Sequence, residues 1–105
     1  MTSKEKLFEL AEEMKLMDLA SYVLTDRRFE QWSGASREGC HHYGDGQLIQ
    51  HTLEVVEISL MNNKYFGFEI DPRKIYLAGL FHDVGKMWDY VKKDGKWTYC
   101  QLPRP

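Results

Sequence analysis

Apolar residues recur at helical intervals near the start of the chain: Leu7, Leu10, Met14 and Met17 follow Thr2 and Glu5, which stand at capping-box spacing. The spacing predicts one helix from about 3 to 23, with Glu9, Glu12 and Glu13 as a solvated face rather than a cation site. From 25 to 46 the periodicity vanishes and turn residues dominate, which predicts a loop with one short helical turn at 26–32. A loop this long in a small domain is commonly functional. A second long helix is predicted from 46 to 65, with Gln50, Glu54 and Glu57 together on the solvent face. His51 is rotated away from them toward Leu48, Val55 and Ile58, on the shoulder of the buried face. Asp71 as N-cap and Pro72 at the first position open a third helix. Its segment "IYLAGLF" at 75–81 is apolar all round and belongs at the centre of the fold. His82 shares a face with Ile75, Ala78 and Gly79, small residues that let another helix approach closely, and Gly85 is expected to end the helix. Asp94-Gly95 between two β-prone arms signals a tight hairpin, followed by the trailing "QLPRP". The expected fold is mainly α, a helical bundle with a small β-hairpin near the C-terminus. It forms one domain over 1–105, divided into an N-terminal helix (1–24), a loop (25–45), two helices carrying the chemistry (46–88) and the hairpin (89–101).

Composition narrows the options without naming a function. With 105 residues, 43% hydrophobic and 29% charged, the chain has room for one core. A net charge of −2 with both signs intermixed excludes a broad nucleic-acid-binding stripe, though not a local phosphate pocket. No apolar run approaches the roughly 20 residues of a membrane span, so no membrane partner is expected. The opening "MTSKEKLFELAEEMK" is too charged for a signal peptide, which makes the cytoplasm the default location. Cys40 and Cys100 are expected to be free thiols, and "CHH" at 40–42 lacks the Cys-x2-Cys partner of a structural zinc site. Trp88, Tyr90, Trp97 and Tyr99 are read as exposed aromatics that pack on the N-terminal helix or meet a partner or a stacked base.

The chemistry concentrates in "GLFHDVGKMWDY", residues 79–90. An aspartate at the end of a central helix is costly to desolvate unless it is paired, hydrogen-bonded or on a metal. Histidine and carboxylate are first-choice ligands for divalent transition metals, and His82 with Asp83 supplies both from one helix end. His51 offers a third ligand from another helix. Lys86, three positions after Asp83, can reach a bound anion as a point charge. The competing reading is a structural His–Asp hydrogen bond, with Lys86 a helix C-terminal charge.

"HHYGDGQLIQHTLEVVEIS" followed by "LAGLFHDVGK" resembles the HD-domain metal-dependent phosphohydrolases, and most closely their branch in bacterial 3′→5′ exoribonucleases. The likeness runs from about 41 to 100. It implies that His51, His82 and Asp83 are metal ligands and that Lys86 binds or polarises phosphate. It also implies that His42, with His41 as the lesser alternative, is a histidine near the substrate or a second metal; plain loop polarity is the competing reading of both. Asp45-Gly46 stands where that family has two glycines, and Gln50 where that branch often has glutamate. The family's fourth ligand, an aspartate on a later helix, has no match after Lys86: Asp89 is too near and Asp94 is a turn residue. This expectation leaves three options, a shortened chain lacking the family's C-terminal helices, a homo-oligomer in which another subunit completes the site, or poor metal binding. The implied activity is hydrolysis of a nucleotide or nucleic-acid phosphoester through a metal-activated water. The cofactor would be a divalent ion (Mn, Fe, Ni, Co or Mg), and the partner a phosphate-ester small molecule or an RNA end. The rivals are a catalytically incomplete HD module that binds a nucleotide or protein partner, and a helical interaction domain in which the His–Asp pair is structural.

Overall fold

The computed structural model describes residues 1–100; "QLPRP", including the last residue of the expected hairpin span, lies outside the described residues. The order is α1 (Ser3–Glu13), α2 (Met17–Leu24), α3 (Arg27–Gln31), α4 (Gln47–Phe66), α5 (Pro72–Phe81), α6 (Lys86–Asp89), β1 (Tyr90–Lys93) and β2 (Lys96–Tyr99). The chain is mainly helical, with a two-stranded antiparallel hairpin near its end, as its patterning predicts.

The capping box forms: Glu5 N donates to the Thr2 hydroxyl at 3.1 Å, and Thr2 N to the Glu5 carboxylate at 3.4 Å. The expected single helix from 3 to 23 does not. Lys15 takes a left-handed φ of 58°, its N donates to Glu12 O at 3.2 Å, and Leu16 N donates to Ala11 O at 2.8 Å. This is a Schellman stop with a lysine where glycine is usual, closed by burial of Leu16 against the core. The stop re-phases the apolar stripe, so that Leu7 and Ala11 from α1 and Ala20, Val23 and Leu24 from α2 face one core.

Helices α4 and α5 make the most extensive helix–helix contact in the fold. An added Cβ on Gly79 would lie 2.7 Å from Val56 Cγ2, so only a glycine permits this approach. The buried face of α4 is Leu48, Ile49, Thr52, Leu53 and Val56. His51 lies at the edge of that face, but its expected neighbour Ile58 is 54% exposed. The segment 75–81 is less central than its all-round apolarity suggests. Tyr76, Gly79 and Leu80 are buried, Tyr76 donating to Leu7 O at 2.7 Å, whereas Ala78 and Phe81 are exposed.

The hairpin has Asp94 (φ 53°) and Gly95 (φ 77°) in its two-residue turn, with Lys93 opposite Lys96. Trp88 and Tyr99 are exposed as the sequence reading has them, and the other two aromatics depart from it. Trp97 and Tyr90 are buried, and the ring of Trp97 meets Trp32 at 4.9 Å. Trp97 Nε1 donates to Asp45 at 2.8 Å, Trp97 N to the Tyr43 hydroxyl at 2.9 Å, and Trp32 Nε1 to Tyr90 O at 3.0 Å. The hairpin therefore clamps the 32–46 loop, while Trp88 lies 4.9 Å from the Arg28 guanidinium of α3. An aromatic pair and satisfied donors hold the loop in place of regular structure.

Candidate metal centre

Helix α5 ends at Phe81, not at Gly85. Residues 82–85 form tight turns in which Val84 N donates to Phe81 O, Lys86 N to Asp83 O and Met87 N to Val84 O. Gly85, at φ −59° and ψ −21°, is the N-cap of α6 rather than a left-handed stop. This knuckle turns His82, Asp83 and Lys86 toward α4.

The three expected ligands come together. His51 Nε2 lies 3.2 Å from Asp83 Oδ2, His82 Nε2 lies 3.0 Å from the same oxygen, and the two imidazole nitrogens are 3.3 Å apart. A divalent ion at about 2.1 Å from each ligand separates neighbouring ligands by about 3.0 Å in octahedral and about 3.4 Å in tetrahedral geometry. The triangle falls between these limits, so the residues fit a cation without rearrangement. His82 Nδ1 lies 2.6 Å from Gly79 O. A carbonyl only accepts, so Nδ1 donates to it and Nε2 is the nitrogen turned to the cluster. Burial holds the His51 imidazole below its ordinary pKa; Asp83 opposes this, while His42, Lys86 and His82 add to it. The direction favours the neutral form that a metal ligand must take.

Lys86 also reaches the triad. Its Nζ lies 3.0 Å from Asp83 Oδ2 and donates to Gly34 O at 2.7 Å, joining the carboxylate to the 32–46 loop. The loop is fixed from within by fully buried Ser33. Its hydroxyl donates to Ala35 O at 2.6 Å and accepts from Gly44 N at 2.9 Å, while Gly34 N donates to His42 O at 2.9 Å.

His42, at a left-handed φ of 65°, turns a nearly buried imidazole toward α4. Its Nε2 lies 2.7 Å from Glu54 Oε2 and its Nδ1 3.4 Å from Gln47 Oε1. The rings of His41 and His42 are 3.8 Å apart, and those of His42 and His51 4.7 Å. Among the described residues, two clusters place the donor atoms of a possible divalent-ion site together, His51/His82/Asp83 and His41/His42/Glu54, the ligand atoms of each lying within 4.8 Å of one another. Cys40 is exposed and a free thiol, in neither cluster. Glu54 is the residue that the sequence reading missed, having assigned it to the solvent face. Its signal was its spacing: it stands one turn after His51 on α4, where i and i+3 share a face.

These features define a helical scaffold with a His/His/Asp centre at the junction of two close-packed helices, and comparison with known proteins gives that class its family. Residues 48–101, just over half of the chain, match the HD domain. The chain belongs to the HD-domain family. It is 26% identical over 116 aligned positions to the dihydroneopterin 2',3'-cyclic phosphate phosphodiesterase of Methanocaldococcus jannaschii, the match covering 93% of this chain and 47% of that protein. The chain therefore spans about half the length of this curated relative, which is named as a phosphodiesterase rather than an exoribonuclease. No solved structure matches.

Proposed function

We propose that the protein hydrolyses a phosphate ester, with His51, His82 and Asp83 holding a divalent cation and Lys86, His42 and His41 forming the rest of the site. The observation that carries this reading is the triangle of Nε2, Nε2 and Oδ2 atoms with sides of 3.0–3.3 Å. Two imidazoles and one carboxylate favour Mn, Fe, Co or Ni over Mg. When bound, such an ion lowers the pKa of a water and polarises a phosphoryl oxygen. The chain supplies the positioning. Gly79 O orients His82, Lys86 offsets the charge of Asp83, and Lys86 with His42 places positive or proton-donating groups beside the ester as its charge grows. The substrate class we favour is a phosphodiester of a nucleotide-like compound, an RNA end included. Its support is the family together with the name of the relative, which acts on a cyclic phosphate.

A second reading, a module that binds a phosphate ester without cutting it, draws on Lys86 Nζ, already 3.0 Å from Asp83 Oδ2 as an internal cation. Hydrolysis of bis-p-nitrophenyl phosphate and of a 2',3'-cyclic nucleotide with added Mn2+ separates the two. The hydrolytic reading expects turnover that falls to background in His82→Ala and Asp83→Asn. Equal rates in all three proteins would sink it.

A further inference from the structure

We propose that the protein forms a symmetric dimer in which two copies of α4 pack antiparallel along the stripe Ile58, Met61 and Tyr65. This is independent of the metal reading, because the stripe lies beyond Glu54.

Helix α4 buries Leu48, Ile49, Thr52, Leu53 and Val56. On its opposite face Ile58, Met61 and Tyr65 follow His51 and Glu54 at alternating steps of three and four, the spacing of a coiled-coil seam. The metal centre takes one end of that face and apolar side chains the other. Met61 is 66% exposed and Tyr65 82%. Tyr65 meets the ring of Phe66 edge-on at 4.9 Å, and Phe66 stacks on Phe68 at 5.5 Å, both residues 60% exposed. The turn that carries these rings is fixed. Gly67 caps α4 at φ 66°, and the Asn63 amide donates to Ile70 O at 2.8 Å and accepts from Ile70 N at 3.0 Å. A contiguous apolar patch held rigidly in water marks a site of association.

Area and charge identify the partner as a second copy. A whole aromatic side chain offers about 150–250 Å2, so the three rings leave about 400 Å2 open. Ile58 and Met61 bring the patch to about 550 Å2. Two copies together bury about 1,100 Å2, which clears the roughly 1,000 Å2 of a specific interface. Glu57 and Lys64 flank the stripe on one side, one heptad apart, and among the described residues neither has an ion-pair partner. In the antiparallel pair Ile58 packs on Met61 of the partner subunit. That register sets Glu57 beside Lys64 of the partner subunit and Lys64 beside the partner's Glu57, so one two-fold axis closes both ion pairs.

The test is sedimentation equilibrium of the full chain from micromolar to several hundred micromolar. The proposal expects a dimer for the wild type and a monomer of unchanged helical content for Met61→Asp. Glu57→Lys and Lys64→Glu should each weaken the dimer about tenfold, because both attractive pairs become repulsive. The double variant carrying both reversals should restore the wild-type dissociation constant to within about threefold. A wild-type chain that stays monomeric overturns the proposal, including the case in which a helix of another protein covers the stripe. A dimer that survives Met61→Asp overturns this face as the interface. A dimer indifferent to the single reversals, or not recovered in the double variant, overturns the antiparallel pairing.

Discussion

Replacing Gly79 by alanine tests whether the close approach of α4 and α5 sets the metal centre. The new Cβ would lie 2.7 Å from Val56 Cγ2, a fully buried methyl. Carbon atoms pack at about 3.5 Å or more, so the contact is short by nearly an ångström. Overpacking of this kind costs about 1–3 kcal/mol, while exchanging glycine for alanine within a helix returns about 1 kcal/mol. Gly79→Ala should therefore destabilise the protein by about 1 kcal/mol. In a Val56→Ala background the offending methyl is gone, and the same substitution should stabilise by about 1 kcal/mol. Urea denaturation of the four proteins gives the coupling directly, because the cost of Val56→Ala cancels in the cycle. His51 and His82 face each other across this interface with Nε2 atoms 3.3 Å apart, so Gly79→Ala should also weaken Mn2+ binding, with recovery in the double variant. An identical effect of Gly79→Ala in both backgrounds would refute the reasoning.

Two further perturbations probe the supports of the site. Ser33→Ala removes a fully buried hydroxyl and strands the Gly44 N–H it accepts from, which should cost about 1–3 kcal/mol and weaken Mn2+ binding through the loop that carries His42; unchanged thermal stability would contradict this. Tyr76 has its hydroxyl pushed up to about 12 by burial. Its folded pKa is raised above the unfolded value, so its contribution is complete below about pH 10 and is lost as pH rises toward 12. Urea midpoints measured from pH 9 to 11.5 should fall more steeply for the wild type than for Tyr76→Phe, and parallel curves would count against it.

Much of the site was legible in the chain because helical periodicity is strong where it matters. Placing His51 off the polar face of one helix and His82-Asp83 at the end of the next was enough to foresee their convergence. Glu54 was lost because a helical wheel ranks faces by polarity, and a carboxylate between Gln50 and Glu57 looks solvated until a loop folds over it. That loop has no period to read. Its order comes from Ser33, Asp45 and the Trp32–Trp97 contact, all set by residues far apart in sequence. The stop at Lys15 escaped notice for a related reason: a lysine there carries no turn signal, and burial of Leu16 decides the break. The α5 end at Phe81 rather than Gly85 escaped it too, because Gly85 takes an ordinary right-handed backbone and caps α6 instead of stopping α5.

The central claim is that His51, His82 and Asp83 converge on one cation. Anomalous diffraction from crystals grown with Mn2+ tests it most directly. The account predicts a peak within about 2.0–2.3 Å of His51 Nε2, His82 Nε2 and an Asp83 carboxylate oxygen. Crystals soaked at millimolar Mn2+ that show no peak there, with Lys86 still closing on Asp83, would contradict it.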